Sequence, residues 1–228
     1  MIFDAIKAAV LRADGATITE AYSSTDQVAL EMADLANEVA SDIAASHDWR
    51  ALTKIHSLVG GSESYALPQD YDRMALASEI DDGASWFWGY TPFDSVNDWM
   101  RFKSGTYPIL SPGGWIILGG ELLFYPAARE NAQFPYISKE WAWSEDGTPK
   151  AQFTADNDTF ALPERLMTLG LIWRWKAQKG MDYSEDMATY ELALGQAQTR
   201  DRGAHVLRSN RSVNFRGGSL AYSGRAFP

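Results

Sequence analysis

Residues 115–125, Trp-Ile-Ile-Leu-Gly-Gly-Glu-Leu-Leu-Phe-Tyr, set two apolar runs on either side of Gly119-Gly120. Two adjacent glycines can both take positive φ, which the tightest hairpin turns require at their central positions. The spacing therefore predicts antiparallel strands over 115–118 and 121–125. Working outward, short runs broken by Gly, Pro, Asp and Ser carry this character from Ile55 to about Phe160. Gly60-Gly61 separates a strand at 55–59 from a second at Tyr65-Ala66-Leu67, which is read as another hairpin closed by the turn Pro68-Gln69-Asp70-Tyr71-Asp72. A strand over 134–138 continues through Glu140-Trp141-Ala142-Trp143 and stops at Asp146-Gly147. Together these runs make a small antiparallel sheet.

On both flanks the apolar period changes from two to about 3.6. Ile2, Phe3, Ile6, Ala9 and Val10 mark a first helix that ends near Asp14-Gly15. Ser24-Thr25-Asp26-Gln27 has capping-box spacing, and Val28, Met32, Leu35, Val39 and Ile43 follow on one face. That helix runs into His47-Asp48-Trp49-Arg50, where an indole can plug the join to the next segment. Neighbouring residues on a helix point about 100° apart, so His47 and Asp48 read as a helix end and not as a catalytic pair. After the β region, Leu162-Pro163-Glu164 starts a third helix, with proline and an acid suiting its first turn. Leu166, Leu169 and Trp173 share one face and Met167, Leu171, Ile172 and Trp175 fill others, so this helix is buried on several sides, within its own chain or against a second subunit. A last helix begins at Asp182 and carries Met187, Tyr190, Leu194 and Ala197 to about Asp201. The fold class expected is α+β, with a helical body formed by 1–54 and the hairpin 161–201, an inserted antiparallel β region over 55–160, and an extended C-terminal arm over 202–228.

Charge is unevenly distributed along the 228 residues. The chain carries 20 basic and 30 acidic residues, yet the arm holds five arginines and no acid. An acidic body repels nucleic acid, whereas a basic segment seeks an acidic protein surface. The absence of cysteine excludes disulfides, thiolate metal sites and cysteine nucleophiles. No apolar run reaches the roughly 18 residues of a membrane span, so a soluble protein without a membrane partner is expected. No phosphate-loop, dinucleotide, zinc-protease or nucleophile-elbow pattern is present, and His47, His56 and His205 lack metal-ligand spacing. No catalytic residue, cofactor or metal site is expected. The one enzymatic alternative is a carbohydrate-binding or glycoside-cleaving module, with Trp86 and Trp88 as platforms and Glu79, Asp81 and Asp82 as acids. The same cluster, Trp86-Phe87-Trp88-Gly89-Tyr90-Thr91-Pro92-Phe93, also suits a loop folded onto its own sheet or a subunit interface.

The stretch His47-Asp48-Trp49-Arg50-Ala51-Leu52, followed by Tyr65-Ala66-Leu67-Pro68-Gln69-Asp70, resembles the bacteriophage head-to-tail adaptor proteins, also called connector, head-completion or tail-tubular-A-like proteins. Tyr136-Ile137-Ser138 with Trp141, Asp156-Asn157-Asp158, and Leu162-Pro163-Glu164 leading into Leu169-Gly170-Leu171-Ile172-Trp173-Arg174-Trp175-Lys176 and Gly180 are similar to that family's closing helical hairpin. The resemblance covers about residues 1–201. It implies a structural virion protein without catalysis, assembled in the host cytoplasm as a ring of about twelve copies under the portal. Such a ring extends the DNA channel and gives a tail or nozzle protein its attachment site. DNA passes through without sequence-specific contact, and an acidic lumen fits because phosphate is repelled rather than held. A gatekeeper or nozzle component on the tail side is the nearest alternative. The resemblance assigns the arm as a segment to the portal; from side-chain chemistry, Arg202, Arg208, Arg211, Arg216 and Arg225 suit carboxylates and Phe215, Tyr222 and Phe227 suit pockets, the alternatives being a frayed terminus or arginines that meet DNA directly. Trp86, Trp88, Met167, Leu171 and Trp175 are the candidates for a contact between subunits.

Overall fold

The computed structural model describes residues 1–75, 78–81, 89–105 and 113–203. Along the chain lie α1 (Ile2–Ala13), α2 (Gln27–Ala45), a short 3-10 turn (Arg50–Leu52), β1 (Thr53–Ser57), β2 (Ser64–Ala66), β3 (Tyr71–Met74), β4 (Thr91–Pro92) and α3 (Val96–Lys103). There follow β5 (Gly114–Leu118), β6 (Glu121–Tyr125), β7 (Gln133–Ser138), β8 (Ala142–Trp143), β9 (Pro149–Lys150), β10 (Thr159–Phe160), α4 (Glu164–Gln178) and α5 (Ser184–Arg202). The class is α+β, as expected. The described residues divide into a helical unit, 1–53 with 137–203, and a β unit, 54–136.

In the β unit the hairpin at 115–125 forms as its glycines predict. Ile117 stands opposite Leu122 and Leu118 opposite Glu121, while Gly119 and Gly120 take φ of 61° and 84°. β2 adds to β6 antiparallel and β4 to β5 parallel, giving the order β2-β6-β5-β4. The hairpin expected across Gly60-Gly61 does not form. β1 instead joins a second sheet, β1-β7-β3, while β2 goes to β6. The reason is local: a Cβ on Gly60 would stand 2.4 Å from the backbone nitrogen of Glu130, and Gly61 donates its N–H to the Ala128 carbonyl. The two glycines let the chain press against that loop and cross between sheets, so they do not make a two-residue turn.

The 55–160 stretch also hides a helix. Ser95 accepts from the N–H of Asp98 and starts α3, which buries Trp99 and Phe102. Phe93 stacks on Phe102 with centroids 5.0 Å apart, and Tyr90 is buried with its hydroxyl accepting from the N–H of Arg129. The described part of the aromatic cluster thus packs into its own unit, while Trp86, Trp88 and Asp82 lie outside the described residues.

In the helical unit α4 packs against α1, α2 and α5. Gly170 permits the closest approach, since a Cβ there would lie 2.5 Å from Val39 Cγ1 on α2. α2 begins at Gln27 with Asp26 as its N-cap, two residues after the expected Ser24, whose hydroxyl accepts from the N–H of Asp26. Proline 163 is likewise the N-cap of α4, one residue before its first turn. Residues 137–160, expected within the β insertion, group with the helices. Their small sheet, β10-β8-β9, buries Trp141, Phe153 and Phe160 against one another. Polar ties to the helices explain the grouping. Asn37 exchanges two hydrogen bonds with the backbone of Phe153, the Asp156 carboxylate accepts from the N–H groups of Ala21 and Tyr22, and Ile2 donates to the Asp158 carbonyl.

Candidate functional site

Beyond the last turn of α2 the chain turns on Trp49, which is buried and donates Nε1–H to the Ile43 carbonyl at 2.8 Å. A helix C-terminus leaves its last carbonyls without intrahelical partners, and the indole satisfies one of them while closing the join. The turn brings Arg50 to the end of α5. Its N–H donates to the Asp201 carboxylate at 3.2 Å, and its Nη2 donates to the Arg202 carbonyl at 2.8 Å. His47 Nε2 lies 3.3 Å from the same carboxylate, and Gln198 Nε2 donates to the Ser46 carbonyl at 3.3 Å. The imidazole therefore lies against Asp201, 154 positions along the chain, which fits the reading of His47-Asp48 as a helix end. Gly203 then leaves the helix at φ 78°, the left-handed region that favours glycine. These contacts clamp the root of the basic arm.

Beside the clamp is a cleft of about 430 Å³, within the helical unit. Trp49, Leu162, Leu166 and Ala193 form its buried apolar floor. Arg165 and Arg200, both exposed, stand at its rim; Asp201 also lines it, with its carboxylate engaged by the Arg50 N–H in the clamp. Among the described residues neither guanidinium has an ion-pair partner. The other cations of α4 are differently used: Arg174 bridges Glu38 and Asp42 of α2, and Lys176, in the last turn of the helix, meets Asp186. Lys179, just past it, pairs with Glu31, whose carboxyl it holds below the usual range with help from Gln27. An apolar floor with a cationic rim suits docking of an acidic, apolar segment. Among the described residues no group of three or more His, Asp or Glu is placed to hold a metal ion, and no helix is long and apolar enough to cross a membrane.

Of the residues expected to act, Arg202 ends α5 with its side chain exposed and its carbonyl in the clamp. Arg208, Arg211, Phe215, Arg216, Tyr222, Arg225 and Phe227, like Trp86 and Trp88, lie outside the described residues. Met167 and Leu171 are fully buried and Trp175 nearly so, its Nε1 donating to Glu31. Their apolar surface is used inside the protomer, among the helices that α4 touches. Sequence reasoning missed the Asp201 clamp and the paired arginines of the cleft. Each joins positions far apart in the chain, and no local period marks such a pairing; the one signal was the concentration of large side chains at 47–52.

A search of curated proteins gives no match for the chain. The family model described as SU10 adaptor protein matches residues 1–216, which takes in both units, the clamp and the first part of the arm. Coverage of that extent decides the assignment: the chain belongs to the SU10 adaptor protein family, a family of phage head–tail adaptors, and is a virion component.

Proposed function

We propose that the protein assembles as a ring of about twelve copies under the portal, continues the DNA channel, and presents the surface to which a tail or nozzle protein attaches. Residues 204–228 act as the arm that reaches the portal. The observation that carries this reading is the clamp at the arm's root. Hydrogen bonds from Arg50, and from Gln198 to Ser46, fix the last turn of α5 at the point where an acid-free, arginine-rich segment begins. A segment held at its base loses less freedom on binding than one that hangs from a frayed helix. In the arm, Arg208, Arg211, Arg216 and Arg225 meet carboxylates while Phe215, Tyr222 and Phe227 fill pockets. A structural role without catalysis is in keeping with the family, and assembly takes place in the host cytoplasm.

The test is truncation after Gly203, followed by mass photometry with the portal of the same phage. The truncated chain is expected to keep its circular dichroism spectrum and thermal midpoint while losing portal binding. Binding equal to that of the full chain overturns the arm's role.

A further inference from the structure

The cleft of the helical unit has a complement on the same unit, at the far end of the α4–α5 hairpin. α4 closes in a Schellman motif: Met181 donates its N–H to the Lys176 carbonyl, Gly180 donates to Ala177, and Gly180 takes φ 68°. The motif projects Met181 and Tyr183, which remain 45% and 39% exposed. Asp182, between them in the chain, and Glu185, two residues after Tyr183, are exposed as well. Asp182 accepts from the N–H and hydroxyl of Ser184, and Tyr183 lies against Trp173 with centroids 6.3 Å apart, so the loop is held in one shape. Two large apolar side chains interleaved with two carboxylates complement an apolar floor edged by two guanidiniums.

The loop cannot fill the cleft of its own chain. α5 has 19 residues, which at 1.5 Å each separate the two ends by about 28 Å. The arm is a poor occupant for a different reason, since it brings further arginines and no acid to a rim that is already cationic. A second copy supplies the missing shape and charge together. We infer that the Met181–Glu185 loop of one protomer seats in the Arg165/Arg200 cleft of the next, which makes this pair the two unlike patches of a head-to-tail contact between copies. Unlike patches give a heterologous interface that repeats from copy to copy and closes if the rotation between copies allows. The inference rests on the ring reading and names the surfaces that such a ring uses.

Charge reversal tests it in the full-length chain. One variant carries Arg165→Glu with Arg200→Glu and the other Asp182→Arg with Glu185→Arg. Assembly is followed by mass photometry, with and without the portal. Each reversed variant alone is expected to need at least tenfold more protein to assemble than the wild type. An equimolar mixture of the two should assemble again, because alternating copies then oppose unlike charges at every junction. Recovery in the mixture also shows that both variants fold. Wild-type assembly with no effect of either reversal overturns the pairing and leaves the ring reading intact. If cleft reversal removes portal binding while self-assembly is unchanged, the cleft belongs to an acidic segment of the portal, and the contact between copies is overturned. A wild-type chain that never assembles, alone or with the portal, overturns the ring reading and this inference with it.

Discussion

Asp158 ties the loop before β10 to the start of α1 in the helical unit. Its carboxylate is almost wholly buried and accepts from Lys150 Nζ at 2.8 Å and from the N–H groups of Thr154 and Ala155 at 2.7 and 3.1 Å. Burial opposes its ionisation, but the ammonium and the two backbone donors outweigh that cost and hold its pKa below the usual carboxylate value. The carbonyl of the same residue accepts from the first N–H of α1, so the loop and the helix start are joined through it. Replacing Asp158 by Ala leaves two N–H groups without their acceptor and the partly buried Lys150 ammonium without its counter-charge, with Thr154 Oγ1 still accepting from it. The expected loss is about 3 kcal/mol in urea denaturation at pH 7. The pH dependence has a definite sign. A lowered folded-state pKa contributes stability that is complete above the unfolded value, about 3.9. That contribution falls away as the pH drops through the folded value. The stability gap between wild type and Asp158→Asn is therefore expected to be constant from pH 5 to 7 and to shrink below about pH 4; a gap that persists at pH 2.5 contradicts the account.

At the level of elements, two glycines in the closing hairpin make opposite predictions. A Cβ at Gly170 meets Val39 at 2.5 Å, so Gly170→Ala pushes α4 from α2 and is expected to cost about 1–3 kcal/mol despite alanine's better helix propensity. Gly195, in the middle of α5, has no atom within 4 Å of where a Cβ would go. Gly195→Ala is expected to raise stability by about 0.5–1 kcal/mol, since only the backbone entropy term remains. A thermal midpoint that is unchanged or raised in Gly170→Ala would show that the helix crossing is not as close as described. The contrast also shows which elements the sequence made legible. Helices with a one-sided apolar stripe, α1 and α2, and the hairpin around Gly119-Gly120 were readable because their signals are local. The short helix α3 was not, because Ser95 and Asp98 signal a cap for only eight residues inside a stretch otherwise rich in turns. Strand partners were also misread at Gly60-Gly61, where two glycines serve a close backbone approach instead of a hairpin turn. Pairing between β1 and β7, or β2 and β6, depends on contacts across many residues and leaves no trace in a local pattern.

For the whole molecule, the organising feature is that segments remote in sequence meet at the base of the arm. An acidic body and a basic arm are visible in the charge count, but the clamp that joins them is not. Arg50 lies at the end of the first helical segment, and its partners Asp201 and Arg202 lie at the end of the last. The sequence singled out 47–52 for its large side chains; the fold explains them as a plug, Trp49, and a grip, Arg50, on the departing chain. Arg50→Ala removes the bond from Nη2 to the Arg202 carbonyl and keeps the backbone bond to Asp201, so the units are expected to fold with little change in thermal midpoint. The last turn of α5 should then fray, which hydrogen exchange would register as faster amide exchange over 198–203. Because an arm with a loosened root must be ordered from further back when it binds, portal affinity is expected to fall roughly five- to twentyfold, about 1–2 kcal/mol. Arg50→Lys, a single charge without the planar fork, should recover only part of that loss. Raising the salt concentration separates the two contributions. The attraction of the arm's arginines for the portal weakens as exposed charges are screened, whereas the ratio of Arg50→Ala to wild-type affinity reflects ordering and should stay nearly constant. A ratio that approaches one at high salt would mean that Arg50 acts through its charge alone, and that the clamp does not set the starting geometry of the arm.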